Sequence, residues 1–312
     1  MTERPRGDGA HGKLLFVDDL STPVLTTTQR SIKWLASRRH TSITAEGVLE
    51  RARRRTGLDD FGPSDFEARL RLLVDDYAED PGMGEIGRQT VAGELTRYAS
   101  NRLLIQDYLR RHPDALEERI DKPLIVVGLP RSGTTHLVNL LAADSRFRSL
   151  PLWEAMEPVP NPREGAPSTA KLAAVRSIDR VLPRRAREWL GVGHLVADPR
   201  YLRCAANWVG MRTMVPYVAA MHPMNPDHVH EEIELMGPDF SSYTFEWTGY
   251  VPHYRDDYLQ KDQTPHYAYM KRVLQILQHR DEGPTKPWVL KSPQHLEQIP
   301  ALLATFPDAT IV

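Results

Sequence analysis

Residues 123–141 read Pro123-Leu-Ile-Val-Val-Gly128-Leu-Pro-Arg131-Ser-Gly133-Thr-Thr135-His-Leu-Val-Asn-Leu-Leu141, and the rest of the chain is arranged around them. The apolar, β-branched run from Leu124 to Val127 predicts a buried strand. A turn that contains two glycines follows, and leucines at helical spacing then predict a helix. This order of strand, loop and helix directs backbone N–H groups and a helix N-terminus at a phosphate.

The loop has the Gly-x-x-x-x-Gly spacing of a Walker loop, but Thr134 stands where a nucleoside triphosphatase has lysine. We therefore predict that the loop binds an anion other than a transferable γ-phosphate. The alternative is a simple strand–helix turn that uses glycine for steric reasons. Two glycines, one arginine and three hydroxyls coincide here, which favours phosphate binding. The candidate ligands are Arg131, Ser132, Gly133, Thr134 and Thr135.

Composition limits the possible classes of function. The chain has 312 residues and a net charge of −1, so one or two domains are expected and a general basic field for nucleic acid is excluded. Its single cysteine, Cys204, cannot form an internal disulfide, which fits a reducing compartment. The N-terminus is polar and no apolar run approaches the thickness of a bilayer. We expect a cytoplasmic protein without stable membrane insertion, without a nucleic-acid partner and without a metal site, because no Cys/His metal spacing occurs.

The fold class follows from the order of the patterns. Helical periodicity dominates residues 1–120, apart from a polar and frayed start at residues 1–12, and predicts an N-terminal helical region packed on the core. Within it, Thr44 is a predicted helix cap and Ser64-x-x-Glu67 a predicted capping box. Strands alternate with helices over residues 121–312, which predicts an α/β domain of the P-loop type with a parallel sheet flanked by helices.

Several later segments bear on the site. Asn225-Pro-Asp227 predicts the start of a helix that contains Glu231 and Glu232. The aromatic segment 239–262 could line an apolar acceptor pocket, although aromatic core is the more common use of such residues. A short strand is predicted to end at Lys291, with Ser292 as the cap of the element that follows.

Four motifs together resemble the PAPS-dependent sulfotransferases, and most closely their large actinobacterial branch. They are Gly-Leu-Pro-Arg-Ser-Gly-Thr-Thr at 128–135, Leu-Trp-Glu at 152–154, Trp-Val-Leu-Lys-Ser-Pro-x-His at 288–295 and Pro-Asp-Ala-Thr-Ile-Val at 307–312. The resemblance covers roughly residues 45–312. It implies a P-loop-type fold, 3′-phosphoadenosine 5′-phosphosulfate (PAPS) as the donor, and sulfuryl transfer to a hydroxyl or amine of a small-molecule or lipid acceptor.

Transfer needs a base near the acceptor oxygen, and Glu154 is the first candidate. It follows the loop helix after a short connection and resembles the glutamate that several sulfotransferase branches use. A carboxylate suffices if the proton leaves late, by analogy with phosphoryl transfer. The rival candidates are Glu231, Glu232 and His222, and for the two glutamates a capping role near a helix start is the simpler explanation. Two further candidates are Lys291, as a catalytic cation, and His295, as a base, a hydrogen-bond donor or a packing residue.

The sequence departs from the family at its end. In the family, the strand that matches residues 309–312 leads into an arginine-bearing turn and a serine that hold the 3′-phosphate, whereas this sequence stops at Val312. We therefore expect a C-terminally incomplete sulfotransferase. A truncated, non-catalytic paralogue that binds a ligand or partner is the alternative, and a P-loop kinase is a weaker one because it needs a cation at position 134.

Overall fold

The computed structural model of the chain describes residues 23–312, so the predicted tail at residues 1–12 lies outside the described residues. The described residues belong to two units, 23–40 and 41–312. The first unit contains helix α1 (Thr27–Ser37), which is capped by Thr26. The amide of Gln29 donates to the Thr26 hydroxyl and the Thr26 amide donates to the Gln29 side chain, which satisfies two N–H groups at the start of the helix.

Three helices open the second unit: α2 (Ala45–Thr56), α3 (Phe66–Glu79) and α4 (Glu85–Arg111). The predicted cap of α2 is confirmed, because the Thr44 hydroxyl accepts a hydrogen bond from the Gly47 amide. The helix ends at a glycine in the left-handed conformation, as is common for helix C-termini.

The capping box predicted at Ser64 is wrong. Helix α3 begins after Asp65, and no side chain caps it. The amide of Glu67 donates instead to the backbone carbonyl of Ser64. The backbone carbonyl of Ser64 therefore accepts the hydrogen bond that its side-chain hydroxyl was expected to accept.

The remaining elements alternate between short strands and helices. In chain order they are β1 (Leu124–Val126), α5 (Thr134–Ala142), β2 (Arg148–Ser149), α6 (Leu152–Met156), α7 (Thr169–Val181), α8 (Arg184–Leu190), α9 (Pro199–Met214), α10 (Pro216–Met221), α11 (Ile233–Met236), α12 (Pro252–Gln260), α13 (Thr264–His279), β3 (Trp288–Lys291), α14 (Ile299–Thr305) and β4 (Thr310–Ile311). Short 3₁₀ helices lie at Pro113–Glu117, Pro162–Glu164, Gly237–Asp239, Tyr243–Trp247 and Pro293–Glu297.

The four strands form one sheet in the order β2-β3-β1-β4, and all three neighbouring pairs are parallel. Val126 of β1 is in register with Lys291 of β3, so both strands end at the same edge of the sheet. Helices connect the parallel strands, because a parallel pair needs a long crossover. The predicted α/β fold with a parallel sheet flanked by helices is thereby confirmed.

The aromatic segment 239–262 contributes mainly to the core. Phe240, Phe245, Tyr254 and Tyr258 are buried against the apolar faces of α2, α3 and α4. Tyr254 also accepts a hydrogen bond from the Ser242 amide and donates one to the Ser242 carbonyl. These four side chains are therefore packing residues and do not line an acceptor pocket.

A buried ionic network joins the helical region to the rest of the unit. The carboxylate of Asp239 accepts hydrogen bonds from Arg69 of α3 and Arg102 of α4, and lies 2.5 Å from Nδ1 of His266 on α13. Burial alone would raise the pKa of Asp239, but His266 and the two arginines lower it below the usual value. The carboxylate is thus the shared anion of three cationic or polar groups from three helices.

The domain boundary expected near residue 120 stays a prediction. Helices α2 to α4 and the sheet both lie within the unit 41–312. Among residues 23–312, no helix has the length and the apolar character that a membrane span requires.

We predict that Asp239→Ala lowers the free energy of unfolding by about 3–5 kcal/mol, because it removes the carboxylate that pairs with buried Arg102 and one of the two that pair with buried Arg69. Denaturant-induced unfolding followed by circular dichroism measures this change. The matched control is Asp65→Ala, since Asp65 also pairs with Arg69 but is 59% exposed; it should cost less than about 1 kcal/mol. Equal effects of the two substitutions would contradict the assignment.

Candidate active site

The loop between β1 and α5 presents free backbone donors. Gly133 has a φ of 92°, a left-handed conformation that favours glycine, and it is the cap residue of α5. The amides of Gly133, Thr134 and Thr135 donate to no acceptor within residues 23–312. The loop is largely exposed at residues 131–133. This arrangement has the geometry of an anion site at a helix N-terminus.

The loop side chains differ in how free they are. The hydroxyl of Ser132 donates to the Leu129 carbonyl at 2.6 Å, and Nη1 of Arg131 donates to the Met221 carbonyl at 3.0 Å. Arg131 thereby connects the loop to the C-terminus of α10 at the surface of the protein. The side chain of Thr134 has no hydrogen bond of this kind within the described residues, so its hydroxyl is available to a ligand.

Lys291 reaches the loop from the end of the neighbouring strand. Its Nζ lies 3.3 Å from the Thr135 hydroxyl, to which it donates, and it forms an ion pair with Glu231. The residue is only 3% exposed. A buried ammonium needs a partner, and Glu231 provides the opposite charge. As predicted, strand β3 ends at Lys291.

The helix predicted to start at Asn225 is wrong. Residues 225–232 form a turn and an extended segment, and the helix begins only at Ile233. Backbone hydrogen bonds join this segment to residues 150–152, with an antiparallel bridge between Pro151 and Val229. Pairing with a distant segment therefore overrides the local helix signal, and it directs Glu231 and Glu232 into the interior.

Burial shapes the electrostatics of Glu231. Burial raises its pKa, and the Lys291 ammonium offsets part of that rise. One of its oxygens, Oε1, pairs with Lys291, while Oε2 is buried without a hydrogen-bond partner in the described part of the chain. A carboxylate with a raised pKa and a free oxygen is a suitable proton acceptor.

His222 lies close to this carboxylate. Its Nε2 is 4.0 Å from Oε1 of Glu231. Burial lowers the pKa of His222, and the positive charges of Lys291 and Arg131 lower it further. The imidazole is therefore neutral near pH 7, which leaves a ring nitrogen able to accept a proton.

Two more histidines, His228 and His230, lie next to His222. Neither was selected from the sequence. The ring centroids of His222, His228 and His230 lie 5.5–6.1 Å from one another. Burial lowers the pKa of His228 to about 4 and that of His230 well below the usual value. Their clustering follows from the extended segment, which the sequence predicted as helix. Within residues 23–312, no group of His, Cys, Asp or Glu side chains is placed to hold a metal ion.

A second layer of hydrogen bonds holds Lys291 from behind. The Lys291 amide donates to Oε2 of Glu232 at 2.9 Å, and Oε1 of Glu232 lies 2.6 Å from Nε2 of His295. Nδ1 of His295 in turn lies 2.8 Å from the Tyr267 hydroxyl. Glu232 and His295 are fully buried. This chain connects the strand end, the 225–232 segment and α13, so His295 has an internal partner and does not face the loop.

Glu154 lies in a different environment. Within the described residues its ion pair is with Arg148, at 2.6 Å. Arg148 is in register with Trp288, the first residue of β3, and also pairs with Asp281 ahead of that strand. Arg148 lies level with the amino end of β3 whereas Lys291 lies at its carboxyl end, and no hydrogen bond or ion pair joins Glu154 to Lys291 within residues 23–312. Its assignment as the base stays a prediction.

Known proteins share parts of this sequence and of this fold. The model of the Sulfotransferase family matches residues 123–312. The crystal structure of sulfotransferase STF1 from Mycobacterium tuberculosis H37Rv superposes with a TM-score of 0.67 at 29% identity, and the match covers 88% of this chain and 67% of that one.

A second solved structure, sulfotransferase STF9 from Mycobacterium avium, gives a TM-score of 0.66 at 29% identity and covers 88% of this chain and 63% of that one. The chain thus spans about two thirds of each of these proteins, and no curated protein matches it. The family model covers more than half of the sequence and includes the loop and the Lys291 motif. The resemblance inferred from the motifs is confirmed, and the chain belongs to the sulfotransferase family.

Proposed function

We propose that this protein transfers a sulfuryl group from PAPS to a hydroxyl of a small-molecule or lipid alcohol. Membership of the family supports sulfuryl transfer in general. The observation that carries the finer proposal is the loop itself. The amides of residues 133–135 donate to no acceptor within residues 23–312. The ammonium of Lys291 lies 3.3 Å from the hydroxyl of Thr135, the last of these residues. When bound, the donor supplies the sulfuryl group and departs as adenosine 3′,5′-bisphosphate.

The loop residues suit the 5′-phosphosulfate of such a donor. The amides of Gly133, Thr134 and Thr135 and the Thr134 hydroxyl can donate to its oxygens without breaking an existing bond. Arg131 adds a cation at the exposed side of the loop. Ser132 must first release the Leu129 carbonyl before it can donate to a ligand. We therefore assign the principal binding role to the amides and Thr134, with Arg131 and Ser132 in support.

Lys291 is assigned to charge stabilisation. Its ammonium lies next to the loop hydroxyl and is held by Glu231 on one side and by the strand on the other. Negative charge that develops on the leaving phosphate or on the sulfuryl oxygens is stabilised most by a cation fixed in place before the reaction. The buried position of Lys291 meets that requirement.

The contacts favour Glu231, together with His222, as the proton acceptor over Glu154. Glu231 pairs with Lys291 and has an oxygen without a partner within residues 23–312, whereas Glu154 pairs with Arg148. His222 is more exposed than Glu231, and its Nε2 lies 4.0 Å from Oε1 of Glu231. In this proposal His222 takes the proton from the hydroxyl of the acceptor alcohol and Glu231 stabilises the resulting imidazolium, or Glu231 takes that proton directly.

The cytoplasmic location stays a prediction.

The first test concerns the loop. Wild-type protein should bind adenosine 3′,5′-bisphosphate in isothermal titration calorimetry without a requirement for Mg²⁺. Thr134→Ala and Arg131→Ala should each weaken binding about 10- to 100-fold, because each removes a hydrogen bond to a charged group. Thr90→Ala, which removes an exposed hydroxyl on α4, is the matched control. Tighter, Mg²⁺-dependent binding of ATP would favour a kinase instead.

The second test separates the two candidate bases. With labelled PAPS and a panel of phenolic and lipid alcohols, Glu231→Gln should lower kcat at least about a hundredfold, the usual contribution of a general base. Glu154→Gln should change kcat less than about threefold. The reverse order would restore Glu154 as the base. Saturable binding of the bisphosphate by wild-type protein, without turnover of any alcohol on the panel, would favour the non-catalytic alternative.

The third test is the dependence of kcat on pH. A base acts only when deprotonated, so the rate should fall as the pH falls through the pKa of Glu231. Burial raises this pKa above its ordinary value of 4.5, so the acid limb should have its midpoint above pH 4.5. At the pH of that midpoint, His222 is neutral only if its own lowered pKa is smaller than the midpoint pH. A limb that persists unchanged in Glu231→Gln and disappears in His222→Gln would assign proton transfer to the histidine alone.

A further inference from the structure

The segment 168–190, which we call the cationic hairpin, differs in charge from the rest of the protein. It contains six lysine or arginine residues and two acidic residues, a net charge of +4 in a chain whose total is −1. Helices α7 and α8 form most of it, and neither contains a buried residue. The hairpin therefore exposes almost all of its side chains.

Apolar side chains are exposed beside these charges. Ile178 is 51% exposed, Val181 77% and Trp189 54%. Ile178 and Val181 are three residues apart on α7, so they share one face of the helix, and Ala174 lies four residues before Ile178 on that face. By helical spacing Arg176 and Arg180 lie on the other side of α7, and an apolar face opposite a basic one is the pattern of an interfacial membrane helix.

The cations of the hairpin are largely unpaired. Lys171, Arg176, Arg180 and Arg185 form no ion pair with any residue in the range 23–312, whereas Arg184 pairs with Glu188 and Arg187 with Asp179. Unpaired exposed cations attract an anionic surface without first breaking an internal bond.

Hydrogen bonds tie the hairpin to the segment that follows it and to α9. The Asp179 carboxylate accepts hydrogen bonds from Arg187 and from the Leu195 amide, and Arg212 of α9 donates to the Trp189 carbonyl. A fluid interface needs no shape complementarity, so exposed apolar and basic side chains on two helices suit a bilayer.

We propose that the cationic hairpin docks the protein on the surface of an anionic lipid bilayer, with Ile178, Val181 and Trp189 at the level of the headgroups and the free cations on the lipid phosphates. The proposal does not depend on the proposed function, because the hairpin contributes no residue to the loop or to the Lys291 cluster. It describes a reversible surface contact and needs no membrane-spanning helix.

The experiment uses the whole chain and vesicle co-sedimentation. Vesicles of phosphatidylglycerol and phosphatidylcholine in equal parts should bind the protein, and vesicles of phosphatidylcholine alone should bind it much more weakly. Each cation near the surface contributes about fivefold to partitioning. The triple variant Arg176→Gln, Arg180→Gln, Arg185→Gln should therefore bind about a hundredfold more weakly, and higher salt should weaken the wild type.

The matched control removes the same charge elsewhere. Arg71→Gln, Arg119→Gln and Arg146→Gln replace exposed arginines on other surfaces, all outside the candidate active site. This triple variant should bind vesicles within a few-fold of the wild type. An equal loss from both triple variants would overturn the proposal, because it would show a response to net charge alone. Unchanged circular dichroism should accompany every variant.

Fluorescence gives a second and independent readout. Anionic vesicles should shift the emission of the wild type to shorter wavelength, and Trp189→Phe should abolish most of that shift, since Trp189 enters a less polar environment. Vesicle binding that leaves Trp189 unaffected would overturn the assigned orientation. Binding to polyglutamate but not to vesicles would overturn the lipid proposal in favour of an acidic protein partner. Self-association that Ile178→Ser with Val181→Ser removes, without any vesicle binding, would overturn it in favour of a second copy of the chain.

Discussion

A lysine ammonium buried at the carboxyl edge of a parallel sheet sets the main constraint on this structure. Charge removed from water must be matched nearby, and Lys291 is matched by Glu231 and by the Thr135 hydroxyl. The match requires that the 225–232 segment leave the helical path and cross to the strand end. It also requires that the strands β1 and β3 end together, which their register provides. The burial of Glu231 beside the loop accompanies this pairing.

The local parts of the fold could be predicted from the sequence because their signals are local. The run from Leu124 to Val127, the glycines of the loop and the helical leucines mark a strand, a turn and a helix without reference to distant residues. Thr44 and Ser292 likewise cap the elements that follow them. Strands that alternate with helices then permit few arrangements besides a parallel sheet.

The second half of the site could not be predicted, because it depends on tertiary pairing. Asn225-Pro-Asp227 carries a genuine turn signal, and the His228 amide does donate to the Asn225 carbonyl. Nothing in those residues shows that the following segment will bridge to Pro151 and continue extended. The same gap applies to the two candidate carboxylates. Chain order places Glu154 soon after the loop helix, whereas only the tertiary pairing puts Glu231 against Lys291.

The chain from Glu232 through His295 to Tyr267 has a consequence for ligand recognition. Its members are buried, and they are bonded to one another and to the Lys291 backbone. The strand end is therefore preorganised, and an incoming anion meets a lysine whose backbone entropy has already been lost. Recognition at such a rigid edge depends on electrostatic fit more than on closure of the protein around its ligand. Selection among anions at this edge would then fall to the more exposed side chains of the loop.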